Sequence, residues 1–147
     1  MRALIPFTLL LLVLLGMAWG ARTLALALVV QSAEQGNIIP LSLSLARVPV
    51  PVGEPLHLSV PARLGGEPLW ALGTLALTSG RVRLTRRGAV VVDIPLAQVA
   101  HLTVKGFTLS IDRRGSLSPV VLRVTQPAVI ARYIQYLAKA AASRRSR

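Results

Sequence analysis

The chain has 147 residues, 53% of them apolar, and a formal charge of +12. It lacks cysteine, which excludes a disulfide framework, a thiolate metal site and a cysteine nucleophile. Setting aside residues 1–31, where much of the apolar content lies, removes Arg2 and Arg22 and none of the five acids. Fifteen basic residues then face five acids over 116 residues, a charge of +10 on a segment long enough for one modest core. A domain this basic is drawn to anionic surfaces, either lipid headgroups or nucleic acid. Arginine outnumbers lysine fifteen to two beside abundant Ala, Leu and Val, so a plain compositional bias accounts for the charge equally well.

Ala3 to Ala21 is apolar apart from Thr8 and includes a leucine run, and the apolar character resumes after Arg22 from Thr23 to Val30. Nineteen uncharged residues suffice to cross a hydrocarbon core. Trp19 and Arg22 suit the interface, the first as a belt aromatic and the second by snorkelling. The rival is a secretory signal peptide with Arg2 as its n-region, cleaved near Gly16-Met17-Ala18 or Ala18-Trp19-Gly20. The length of the apolar run and its continuation past Arg22 favour a retained single-pass anchor over residues 1–31. Charges near the span oppose one another, Arg2 against Arg22, and the leaning is towards a cytoplasmic domain.

Residues 32–53 form a linker. Leu41, Leu43 and Leu45 alternate with serines as a short strand, and Pro49-Val50-Pro51-Val52-Gly53 is a stiff connector that marks the domain boundary. Leu56, Leu58 and Val60 then alternate with His57 and Ser59 as the first strand of a domain over 54–143. Next comes the central stretch Gly73 to Pro95. Its three alternating runs, Leu75 and Leu77, then Val82 and Leu84, then Val90, Val92 and Ile94, are separated by Ser79-Gly80 and Arg86-Arg87-Gly88. Period-2 patterning with glycine at the turns predicts an antiparallel meander. Ala100 to Lys105, Phe107 to Asp112 and Val120 to Thr125 complete seven strands, with Gly106 as a tight turn and Phe107 counted in the core. From Gln126 the period changes. Pro127 suits the first helical position, and Ile130, Tyr133, Ile134, Leu137 and Ala141 make one apolar stripe. The 144–147 tail is basic and sits at the negative end of the helix dipole.

Seven short strands followed by one amphipathic helix is the order of a pleckstrin-homology-like barrel. The segment Gly73-x-Leu75-x-Leu77-Thr78-x-x-Arg81-Val82-x-Leu84 resembles the G-x-L-x-L-T-x-x-R-L pattern of bacterial PH-like and GRAM-type families, and Ile94-Pro95-Leu96-x-x-Val99 resembles their I-P-L segment. The resemblance covers about Glu54 to Ala142. It departs at Gln98, where relatives carry a carboxylate, and at Tyr133 and Tyr136, where many carry tryptophan. It implies an α+β fold, a seven-stranded antiparallel barrel capped by a C-terminal helix. Physical reasoning agrees, because a meander must close its edges and a capped barrel does so.

In such a fold the loops after the first, third and sixth strands share one end of the barrel. Arg63, Arg86, Arg87, Arg113 and Arg114 would then form a basic rim able to fork phosphate oxygens, at roughly 1 kcal/mol per arginine near an anionic bilayer. Against this stands the ordinary use of charge at hairpin tips to discourage edge pairing. His57 and His101 fall on polar faces of different strands and nothing marks further metal ligands. Asp93 and Asp112 suit ion pairing or turn capping. There is no G-x-S-x-G element and no phosphate loop, so no catalytic, metal or cofactor site is expected. Aromatic content of 4% argues against a nucleic-acid stacking platform, leaving only non-specific contact through the basic surface. The sequence thus describes a membrane-anchored binding or scaffolding module, not an enzyme. Its partner is anionic phospholipid or a membrane protein; the alternative is an envelope domain with a structural or protein-interaction role.

Overall fold

The computed structural model describes residues 4–34, 41–42 and 48–147. Helix α1 (Leu4–Glu34) comes first, then the two-residue β1 (Leu41–Ser42). Seven further strands follow, β2 (Leu56–Leu64), β3 (Gly73–Thr78), β4 (Arg81–Arg86), β5 (Ala89–Pro95), β6 (Val99–Lys105), β7 (Thr108–Arg113) and β8 (Val120–Val124), and helix α2 (Pro127–Arg145) ends the chain. These seven pair antiparallel in the order β5-β4-β3-β2-β8-β7-β6. The meander of the sequence is therefore β3-β4-β5, and the α+β architecture is a seven-stranded antiparallel sheet with a C-terminal helix. Residues 43–47, which carry the rest of the expected linker strand, lie outside the described residues. Its first two residues pair parallel with β2, Leu41 to Leu58 and Ser42 to Ser59.

The two free edges, β5 and β6, are joined by the 3-10 turn Leu96–Gln98, and α2 packs over that turn, β6 and β7. Helix α2 thus covers the seam that would otherwise expose unpaired strand edges. Its stripe is inside as the periodicity predicts, with Ile130, Tyr133, Ile134 and Leu137 buried among Leu58, Leu75, Leu77, Ile94, Leu109 and Ile111. Pro61 falls between Ser59, the last residue paired to β1, and Ala62, the first paired to β8, where that edge of β2 has no partner to need its missing N–H.

Three bulges re-aim side chains that simple alternation misplaces. Leu56 pairs with Thr78 and Leu58 with Leu77, so His57 is the extra residue and turns inward. It is buried, with its ring edge-on to Tyr133 at 6.4 Å, and does not lie on a polar face. Leu84 pairs with Val92 and Thr85 with Val90, which makes Val91 the extra residue. Both Val91 and Val92 therefore lean on the core while Val90 is 47% exposed, contrary to the alternation of Val90 with Val92 and Ile94. The third bulge places Ala100 between Val99 and His101. Phe107 also departs from expectation. The β6-β7 ladder closes at Lys105 and Thr108, so Phe107 is the second residue of a two-residue turn whose positive φ falls on Gly106, and it is 71% exposed.

The family-like motif has a structural explanation. The Thr78 hydroxyl accepts N–H groups from Gly80 (3.3 Å) and Arg81 (3.1 Å) and donates to a Glu54 carboxylate oxygen at 2.8 Å. Arg81 grips that carboxylate with two donors, Nε to Oε2 and Nη2 to Oε1, each at 2.9 Å. A Cβ on Gly80 would meet Glu54 Oε1 at 2.9 Å, so a larger residue there would have to displace the clasped carboxylate. Thr78, Gly80 and Arg81 thus clasp the residue that enters the barrel.

Candidate anion-binding surface

The register decides which loops meet. Ala62 pairs with Gly73, Arg86 with Ala89, Leu64 with Leu122 and Ile111 with Val120. The β2-β3 loop, the β4-β5 turn and the β7-β8 loop therefore lie at one end of the sheet, and with them Arg63, Arg86, Arg87, Arg113 and Arg114. The side chains of Arg63, Arg86, Arg87 and Arg114 line three different grooves. Arg86 and Arg87 share an opening of about 390 Å³ with Trp70 and Glu67. Arg114 lines a second, of about 280 Å³, with Arg145 of α2. Arg63 lines a third, of about 350 Å³, and Arg113 bonds the Ser116 hydroxyl of its own loop at 3.1 Å.

Carboxylates engage part of this charge. Arg86 pairs with Glu67 at 2.9 Å, and Asp93 pairs with Arg81 at 3.1 Å and Arg83 at 2.9 Å, the ion pairing expected of it. The carboxyl of Glu54 is held below its ordinary value chiefly by the bond from Arg81, with burial opposing. Arg87 adopts a positive φ of 51° beside Gly88 at 79°, so both central residues of the β4-β5 turn are left-handed, as a type I′ hairpin requires.

The third groove lies over β2 and β8. Arg63 and Arg123 are direct cross-strand partners, and both line it, together with Arg22 from α1. Its rim carries Leu69, Leu72 and Phe107, all exposed. Among the described residues that line it there is no carboxylate. Arg63 donates to the main-chain carbonyl of Glu67. Helix α1 comes here because Leu26, one turn beyond Arg22, is only 3% exposed and joins the barrel core, while α1 also packs on α2. Arg123 has a partial signal in the sequence, since it alternates with buried Leu122 and Val124. Its position opposite Arg63 depends on a register that only long-range pairing sets.

Helix α1 is long and apolar enough to cross a membrane over Thr8–Leu28, and most of that stretch is exposed. Among the described residues no group of three His, Asp or Glu side chains could hold a metal ion.

Strand order, a helix over the seam and an apolar leader define a pleckstrin-homology-like barrel behind an N-terminal apolar helix. Among solved structures, the FERM and C-terminal domain complex of Drosophila Merlin matches 65% of this chain at a TM-score of 0.53 and 11% identity. The chain spans about a third, 32%, of that Merlin chain, so the likeness is one of fold. The N-terminal PH domain of human ARAP2 matches at a TM-score of 0.43 and 14% identity, covering 58% of this chain and 79% of its own. A DUF1696 family protein with a pleckstrin-homology domain from Shewanella loihica matches at 0.40 and 21%, covering 64% and 84%. No family model and no curated protein matches the chain.

Proposed function

We propose that the protein is a single-pass membrane protein whose PH-like barrel is a binding or scaffolding module held at the bilayer surface, with the barrel on the cytoplasmic side. The observation that carries this reading is the union of an exposed apolar helix with a barrel docked against its last turns through Leu26. The loop end with Arg63, Arg86, Arg87, Arg113 and Arg114 is then the face offered to anionic phospholipid or to a membrane-protein partner, because forked guanidinium groups match phosphate and carboxylate alike. Binding, not catalysis, is the role these residues support.

The test is topology in the native cell. A reporter active only outside the cytoplasm, fused after Arg147, is expected to be silent, and the membrane-bound protein to keep its original N-terminus. A cleaved N-terminus with an active reporter would replace this reading with an envelope domain.

A further inference from the structure

Between Gly16 and Leu28 the large side chains of α1 fall on two opposite sides, with Gly, Ala and Thr between them. Trp19, Arg22 and Leu26 share one side, which turns to the barrel, since Leu26 is buried in its core and Arg22 lines the groove over β2 and β8. Met17, Leu24 and Leu28 share the other side. At 3.6 residues per turn Leu24 and Leu28 stand roughly opposite Leu26, and they are 63% and 55% exposed. The apolar stretch from Leu4 to Ala21 rises about 27 Å over its eighteen residues and already matches the roughly 30 Å of a hydrocarbon core. Leu24 and Leu28 come after it, so something other than the bilayer must cover them.

That side continues towards the N-terminus at a fixed spacing. Leu10, Leu14, Met17, Ala21, Leu24 and Leu28 follow one another by alternate steps of four and three, the a/d repeat of paired helices. All are exposed. In the leucine run any face would serve; Met17, Ala21, Leu24 and Leu28 select this one. A 3.5-residue repeat keeps one seam on the partner as two helices wind left-handedly. No charge interrupts the seam, because Arg22, the basic residue of α1, is on the barrel side. The leucines and methionine of the seam, on the order of 100 Å² each, offer roughly 500 Å² per copy, and two copies reach the about 1,000 Å² of a specific interface.

We infer that α1 pairs in parallel with α1 of a second copy of this chain along the Leu10-to-Leu28 seam, with each barrel on the outer side of the pair. The inference rests on the anchor reading above and adds a self-association surface to it. Up to Ala21 the partner helix replaces lipid, and packing drives the contact. Beyond Arg22 it replaces water, and burial of Leu24 and Leu28 adds the hydrophobic effect. The pair therefore closes most firmly where the barrels join it, and it brings two copies of the basic loop end to one patch of membrane.

The chain has no cysteine, so single cysteines report on the seam without background. Leu24→Cys, Ala25→Cys, Ala27→Cys and Leu28→Cys are made in the full chain, reconstituted into phosphatidylcholine vesicles and oxidised. Disulfide-linked dimer is expected from Leu24→Cys and Leu28→Cys about five-fold above the two alanine sites, which flank the seam. The yield should hold as lipid is added. Leu24→Lys, on the side away from the barrel, should lower cross-linking through Leu28→Cys about ten-fold by setting like charges across the seam, with barrel unfolding unchanged. Cross-linking equal at the four sites, or falling in proportion to added lipid, reports collisions and overturns the pairing. A maximum at the alanine sites overturns this seam. No dimer at any site, in protein that resists alkaline extraction, leaves lipid as the cover of Leu24 and Leu28; it overturns the pairing and leaves the anchor standing. Protein released by alkaline extraction overturns the anchor reading and this inference with it.

Discussion

The two arginine-rich surfaces of this barrel use one residue type in opposite ways. On the β3-β4-β5 side guanidinium groups are paired with carboxylates. Arg81 grips Glu54 and Asp93, Arg83 shares Asp93, and Arg86 meets Glu67. On the β2-β8 side the strand partner of Arg63 is another arginine, and Arg22 joins them. The first arrangement holds the chain's entry to the barrel closed. The second sets like charges opposite one another, which raises the free energy of the fold. What separates them is the group each guanidinium meets, a strand or loop carboxylate on the first surface and another arginine across the ladder on the second.

The largest contrast is expected from Arg81→Ala. It leaves Glu54, a partly buried carboxylate, without its two-pronged partner, and bonds to charged groups are worth about 1.5–3 kcal/mol. Because both partners keep some solvent contact, a loss near the lower end, about 1.5 kcal/mol in denaturant unfolding, is expected. Glu54→Gln should cost nearly as much, and the double variant little more than either alone, since the two residues act through one interaction. Additive losses would break the clasp.

Acid should sharpen the same point in two steps. Burial, aided by Arg144, pushes the His57 imidazole below its ordinary 6.5, and Arg81 holds the Glu54 carboxyl below 4.5. In both cases the folded state binds fewer protons than the unfolded one. Stability is therefore complete above pH 6.5, declines first as His57 is forced to charge, and declines again below pH 4.5 as Glu54 is protonated. Arg81→Ala should flatten the lower step and leave the upper one intact. His57→Leu should do the reverse. A single step lost in both variants would show that neither group acts alone.

The meander, the terminal helix and its buried stripe were legible because each depends on local period and turn chemistry. Leu75, Leu77, Val82, Leu84, Ile130 and Tyr133 are buried where alternation or helical spacing puts them. His57 and Val90 were misread because one inserted residue reverses the faces of a strand, and a bulge leaves no mark in an apolar-polar pattern. Phe107 was misread for a different reason. Hydrophobicity suggests burial, but a two-residue turn after Lys105 gives it nowhere to go. The clustering of the three loops was implied by the resemblance to a PH-like barrel. The β2-β8 groove was not, because Arg63 and Arg123, sixty positions apart, are brought together by long-range pairing, and Arg22 by a helix that packs on α2 and places Leu26 in the barrel core.

The smallest effect is expected from Arg123→Ser in detergent without anionic lipid, and its sign matters more than its size. An exposed strand residue that makes no structural ion pair should change stability by no more than about 0.5 kcal/mol. Here the change should be neutral or favourable, because serine removes one of two opposed charges. Salt separates the two cases. Raising ionic strength should move the parent towards the serine variant in stability, by screening Arg63 from Arg123. The clasp responds in the other direction, since screening weakens the attraction of Arg81 for Glu54. A loss above 1 kcal/mol in Arg123→Ser would make Arg123 a structural residue like Arg81, and the difference between the two surfaces would disappear.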